Sequence, residues 1–229
     1  MSGVLFVVGT PIGNLADVTD RCRQIFCDAS FIVCEDTRVT SKLCAHWNVQ
    51  PRLRSLNEHA SAKVIDEVCD AVARGKRVAY VSDAGTPGMN DPGGKLVARA
   101  FDRDLLVRPI PGVSALTTAI SVCGFPMDEF IYLGFAPLKK GRKSFFEAMH
   151  DRRTPTIFLE STHRITKTLD ALYEILDPDR LIFVGREMTK MFETYYRGTA
   201  EEVRNAIAQT STKGELTIVI GPKMRKVKN

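Results

Sequence analysis

Short apolar runs alternate along this chain with stretches whose apolar residues recur every three or four positions, and that alternation confines it to an α/β fold. Residues 4–8, 31–34, 78–81 and 105–107 read as strands. Between them, Val64, Ile65, Val68 and Val72 recur at helical spacing, and Gly75 stands where a left-handed helix cap belongs. Leu96, Val97, Ala100 and Phe101 repeat the pattern after the turn at Asp91-Pro92-Gly93-Gly94, and Leu43, Cys44 and Trp47 mark a shorter helix. The first half therefore predicts a mostly parallel sheet with crossover helices. A turn-rich passage, Pro109-Ile110-Pro111-Gly112, then sets a domain boundary, giving an N-terminal α/β domain over 1–112 and a C-terminal one over 113–229. Beyond it, strands at 131–134, 157–160, 181–185, 194–197 and 216–220 and helices near 143–150, 163–176 and 200–209 predict a second, mixed sheet, because strand follows strand directly at 181–197.

With 229 residues, 44% of them hydrophobic, the chain can bury a substantial core, so disorder is excluded as the default. A net charge of +5 leans toward a polyanionic partner. Six cysteines lack metal-type spacing and sit at apolar positions, which reads as reduced, buried thiols in a cytoplasmic protein. No metal-ligand pattern appears, and the apolar start of the chain is too short for a signal peptide or a membrane span.

Three strand ends carry the chemistry. Gly9-Thr10-Pro11-Ile12-Gly13-Asn14 follows the first strand, Glu35-Asp36-Thr37-Arg38 the second, and Ser82-Asp83-Ala84-Gly85-Thr86-Pro87-Gly88 the one at 78–81. None is a dinucleotide fingerprint or a phosphate-binding loop. Each alone could be a tight turn or a local ion pair, but their convergence on one edge of a sheet predicts a ligand site there.

Together with Pro109-Ile-Pro-Gly-Val-Ser114, Glu160-Ser-Thr-His-Arg164, Arg186-Glu-Met-Thr-Lys190 and Lys213-Gly-Glu-Leu216, these motifs span nearly the whole chain in order. The set resembles the tetrapyrrole-methylase-like superfamily, in the branch that 2′-O-methylates a cytidine of 16S ribosomal RNA. Two departures stand out: Asn57-Glu-His-Ala60 ends in Ala where the family favours Asn, and many relatives continue past the point where this sequence stops. The resemblance implies two α/β domains with S-adenosyl-L-methionine in the cleft between them, bound through Ile12, Asp83, Gly85, Thr86, Ser114 and Ala115. Ser161, Arg186 and Leu216 would complete the pocket. It further implies small-subunit ribosomal RNA or the assembled subunit as partner, no membrane, and a homodimer, for which Trp47 on an amphipathic segment is a compatible contact.

Transfer of a methyl group to a ribose hydroxyl calls for a proton acceptor and a cation near the developing charge. The candidates are the carboxylates Glu35, Asp36 and Glu160, the imidazoles His59 and His163, and the cations Arg38 and Arg164, with Arg186 a further one. Each has a plainer reading: His163 stands at a helix start, and Arg164 and Arg186 have Glu160 and Glu187 at hand. His46 and His150 read as surface residues. The basic loop Lys139-Lys140-Gly141-Arg142-Lys143, with Arg152-Arg153, is either an RNA contact or a solvated loop, and the basic run from Lys223 reads as a free end. A methyltransferase of corrin or porphyrin precursors and a non-catalytic RNA-binding scaffold of the same fold are the alternatives.

Overall fold

The computed structural model describes residues 3–58, 60–210 and 212–223, in two compact units divided between Ser114 and Ala115. The first unit runs β1 (Val4–Val8), α1 (Asp20–Asp28), β2 (Phe31–Cys34), α2 (Thr37–His46), β3 (Leu53–Ser55), α3 (Ala62–Ala73), β4 (Arg77–Val81), α4 (Gly93–Phe101) and β5 (Val107–Ile110). Its sheet has the order β3-β2-β4-β1-β5, and every pairing is parallel. Because a parallel sheet is covered on both faces, its inner strands β1, β2 and β4 are apolar but for Arg77 at the start of β4. Leu5, Val33, Val78 and Tyr80 pack under α3 and α4 on one face. Phe6, Ile32, Ala79 and Val81 pack under α1 and α2 on the other. The chain leaves β1 toward the first pair's opposite face and leaves β4 toward the α4 side, although β1 and β4 are neighbours. Their carboxyl ends are therefore a topological switch point, where open α/β sheets hold ligands.

The second unit comprises α5 (Ala115–Cys123), β6 (Ile131–Phe135), α6 (Arg142–His150), β7 (Thr156–Ser161), α7 (Ile165–Ile175), β8 (Leu181–Arg186), β9 (Thr194–Thr199), α8 (Ala200–Ala208) and β10 (Glu215–Ile220). The order is β6-β7-β10-β8-β9, with only β6 and β7 parallel, so the sheet is mixed as predicted. Helices α6, α7 and α8 bury Phe146, Leu169, Leu172 and Val203 on one face, and α5 covers the other with Ala119 and Cys123. Thr199 caps α8 in a reciprocal capping box with Glu202.

Several expectations are corrected. The strand expected at 105–107 lies at Val107–Ile110 and passes through Pro109. It is tolerated there because β5 is an edge strand whose missing N–H costs no ladder bond. Cys27 is exposed, while the other five thiols are buried, and burial pushes Cys22 up to about 12 and Cys44 up to about 11. Trp47 is half-buried and packs edge-on against Phe26 at 4.9 Å, on the margin of the first unit's core. His150 is also less free than expected, since its Nδ1 lies 2.7 Å from the Ile175 carbonyl and ties α6 to α7. Among the described residues no helix is long and apolar enough to cross a membrane.

Candidate active site

The loops after β1, β4 and β5 are zipped together by groups that leave no room for side chains. Thr10 and Gly85 exchange backbone hydrogen bonds of 3.0 and 3.1 Å, and the Ser82 hydroxyl also reaches the Gly85 carbonyl. Gly9 lies against Gly112 so closely that a Cβ on Gly9 would come within 2.7 Å of the Gly112 Cα. Gly85 has φ +80°, and a Cβ there would meet the Ile12 side chain at 3.1 Å. The Thr86 hydroxyl donates to the Val113 carbonyl at 3.0 Å, tying the β4 loop to the passage before Ser114. The result is a rigid edge of main chain with Asp83 and Thr86 exposed beside it.

The end of β2 is locked to this edge. Asp83 accepts a hydrogen bond from the Asp36 amide at 3.0 Å, and Glu35 accepts one from the Asp83 amide at 3.1 Å. Asp36 caps α2 and grips Arg38, whose side chain is otherwise exposed, at 2.6 Å. Hydrogen bonds from the Arg38 guanidinium and amide hold the Asp36 carboxyl down to about 2, so it stays ionised. Burial pushes the neighbouring Glu35 carboxyl above its ordinary value, an effect partly offset by the Asp83 amide. A cavity of about 280 Å³ opens alongside, with Thr10, Ile12, Ser82 and Asp83 on one wall and Val39 and Leu43 of α2 on the other.

In the second unit, Glu160 at the end of β7 is a buried carboxylate whose side chain has no exposed surface. Its Oε1 takes the Ser161 amide at 2.7 Å and the Arg164 guanidinium at 2.7 Å. Its Oε2 takes the Thr168 hydroxyl at 2.6 Å and Arg142 at 3.4 Å. Such a charge is tolerated inside a protein only when paired and saturated in this way. Close by in sequence, the Thr162 hydroxyl and the Gly214 backbone bond at 2.6 Å. The Glu187 carboxylate takes the Glu215 amide at 2.8 Å and Lys190 at 2.9 Å, so the motifs at 186–190 and 213–216 interlock.

This arrangement of two α/β units, the first with its glycine-lined switch point, agrees with known proteins. A family model of tetrapyrrole (corrin/porphyrin) methylases matches residues 4–204. The chain belongs to that family. It is similar to the ribosomal RNA small subunit methyltransferase I of Thermotoga maritima, 39% identical over 96% of this chain and 99% of that one. The protein of the same name from Neisseria meningitidis serogroup A is also 39% identical, over 97% of this chain and 77% of its own length. Among solved structures of the family, the uroporphyrin-III C-methyltransferase of Thermus thermophilus has a TM-score of 0.65 at 17% identity, covering 96% of this chain and 94% of that one. The cobalt precorrin-4 methyltransferase has a TM-score of 0.67 at 15% identity, covering 95% and 94%. At those identities the structures carry the fold alone.

Within this family member, the candidate residues fall into separate groups. Ile12, Glu35, Asp36, Arg38, Asp83, Gly85, Thr86 and Ser114 gather at the carboxyl edge of the first sheet. Glu160, Ser161 and Arg164 form one knot in the second unit, and the Ser161 hydroxyl there accepts from Arg164 at 3.0 Å. His163 is exposed in the same turn. Arg186 is buried, with its guanidinium on the Phe192 carbonyl at 2.7 Å and its Nε left without a partner. Leu216 is buried in the second unit's core, its residue paired in the sheet with Glu160 on one side and Arg186 on the other. Ala115 begins α5. His59 lies outside the described residues. Sequence reading missed Thr168 as a member of the Glu160 knot. The signal was there: Thr168 occupies the buried stripe Ile165, Thr168, Leu169, Leu172 of α7, where a polar residue needs an internal partner.

Proposed function

We propose that this chain methylates the ribose 2′-oxygen of a cytidine in small-subunit ribosomal RNA, using S-adenosyl-L-methionine. The observation that carries the reading is the 39% identity to ribosomal RNA small subunit methyltransferase I along 96% of the chain. The cofactor supplies a methyl group made electrophilic by its sulfonium. The edge of main chain at the switch point fits such a ligand, because the missing side chains at Gly9, Gly85 and Gly112 let backbone groups approach it closely. Ile12, Asp83, Gly85, Thr86 and Ser114 would hold it, with Ala115 next in the chain. Ser161 and Leu216 are assigned instead to the scaffold of the second unit, because the Ser161 hydroxyl and the Leu216 side chain are already committed within it, while Arg186 is held there through its guanidinium and keeps an unpartnered Nε.

Glu35 is the proton acceptor this reading favours. Asp36 is too acidic, being held ionised by Arg38. Glu160 has no exposed surface and two arginine partners. Glu35 is the carboxylate whose basicity burial increases at the switch point, and it is the residue proposed to accept the ribose proton. Arg38, exposed beside it, is the cation proposed to meet the substrate's backbone charge. The same proposal takes ribosomal RNA or the assembled small subunit as partner, met in the cytoplasm, and a homodimer as the working state.

Tritium transfer from labelled adenosylmethionine to small ribosomal subunits, free ribosomal RNA and a porphyrinogen, run in parallel, tests the reading. Label in RNA, resistant to alkaline cleavage beside the modified ribose and lost in Asp83→Ala, is the expected result. Label in the macrocycle alone would overturn it.

A further inference from the structure

The Glu160 knot has an outward face. Its two arginines do not stop at the carboxylate: Arg164 also donates to the Ala136 carbonyl at 2.8 Å, and Arg142 donates to the Pro137 carbonyl at 3.0 Å. Two successive carbonyls in the loop between β6 and α6 are thus each held by a guanidinium anchored on one buried charge. Arg142 also lies over the Phe146 ring at 4.9 Å, so it faces inward and is not one of the loop's free cations. What the clamp presents is on either side of it. Ala136 is buried, but Phe135 is 53% exposed and Leu138 76% exposed. Lys139 and Lys140 follow, both exposed and neither in an ion pair among the described residues. Lys143 is 89% exposed in its side chain, with only the helical neighbour Glu147 at 3.6 Å.

Phe135 and Leu138 leave apolar surface in water within one loop, and a protein interface selects against unpaired lysines at its centre. A ring and an aliphatic side chain interleaved with free cations, on a backbone fixed from beneath, match what single-stranded nucleic acid requires: faces for bases and charges for phosphates. We propose that residues 135–143 form a strand-binding platform for unpaired ribosomal RNA, and that Glu160, Arg164, Arg142 and Thr168 are its positioning residues. The inference rests on the ribosomal RNA reading above and names the surface that reading lacks.

The test is fluorescence anisotropy of a labelled oligocytidylate against salt, with methyl-transfer kinetics on small subunits alongside. Removing both lysines in Lys139→Ala/Lys140→Ala is expected to lower the slope of log affinity against log salt by about 1.4, since each phosphate contact on a single strand contributes about 0.7. Phe135→Ala is expected to weaken binding about tenfold with the slope unchanged, because a stacking contact is lost and no counterion is involved. Thr168→Val keeps volume and removes the hydroxyl shared by Glu160 and Arg142, so it should raise KM for subunits and leave the cofactor Kd in place. An unchanged slope in the double lysine variant overturns the platform. So does a Phe135→Ala/Leu138→Ala variant that alters sedimentation but not RNA affinity, which would make the surface a contact between copies. If the wild-type protein methylates no RNA, the functional reading fails, and the oligonucleotide slopes still judge the platform separately.

Discussion

Glu35 and Asp36 are adjacent carboxylates pulled in opposite directions, and the sign of each pull sets its effect on stability. Asp36 is depressed from 3.8 to about 2, so its stabilising contribution is present above the ordinary carboxylate range and is lost as pH falls toward 2. Glu35 is raised above 4.5, so its contribution is present below that pH and is lost as pH rises through its folded value. Glu35→Gln keeps an oxygen for the Asp83 amide and removes the buried charge. It is expected to stabilise the protein slightly near neutral pH and to give nothing at acid pH. Thermal melts across that range check this, and methyl transfer by the same variant should fall about a hundredfold with the cofactor Kd unchanged if Glu35 takes the proton. Glu160 behaves differently. Glu160→Ala strands two guanidinium groups and a hydroxyl, and should cost about 3 kcal/mol in urea unfolding, whereas Glu160→Gln, whose single amide oxygen can still receive the Ser161 amide and Arg164, should cost less.

At the scale of elements, the glycines of the switch point separate close approach from backbone strain. Gly9→Ala sets a methyl against the Gly112 main chain, where neither side can yield without parting the β1 and β5 loops. Gly88 has φ +98° but open space around it, so Gly88→Ala carries strain alone, about 1 kcal/mol. Equilibrium dialysis with labelled adenosylmethionine should show at least a tenfold loss for Gly9→Ala and little change for Gly88→Ala. The long periodic elements were legible in the sequence: α3 ends at the left-handed Gly75 (φ 85°) as the pattern of Val64, Ile65, Val68 and Val72 predicts. β3 was not, because Leu53-Arg54-Ser55 has no apolar run; it pairs with β2 at the sheet's edge, and Arg54 lies over the Phe31 ring at 4.5 Å. β5 was misplaced because Pro109 reads as a breaker until its edge position is known. The strand-end motifs were legible as a cluster, but their division of labour was not. Which carboxylate is exposed and which is saturated depends on partners far along the chain, such as the Asp83 amide for Glu35 or Arg142 for Glu160.

Across the whole molecule, the charges divide between those spent on the fold and those left over for a partner. Arg142, Arg164, Arg180 and Arg186 are turned inward: Arg180 alone holds the carbonyls of Met149, His150, Arg152 and Gly221. The cations left over are distributed unevenly, with Lys139 and Lys140, in no ion pair among the described residues, beside the exposed Leu138. An enzyme built this way should bind its two substrates by different physics. The polyanion is attracted through released counterions, so its apparent affinity falls with salt by about 2.6-fold per phosphate contact between 50 and 200 mM if the contacted RNA is single-stranded. On the proposed assignment the cofactor is gripped by main chain and a short-range carboxylate, which salt screens far less. Steady-state kinetics at the two salt concentrations should therefore show KM for small subunits rising several-fold while KM for adenosylmethionine stays nearly constant. Parallel rises in both would mean that salt acts on the fold, and a salt-independent KM for subunits would mean that shape and stacking, not phosphate charge, bring the RNA to this protein.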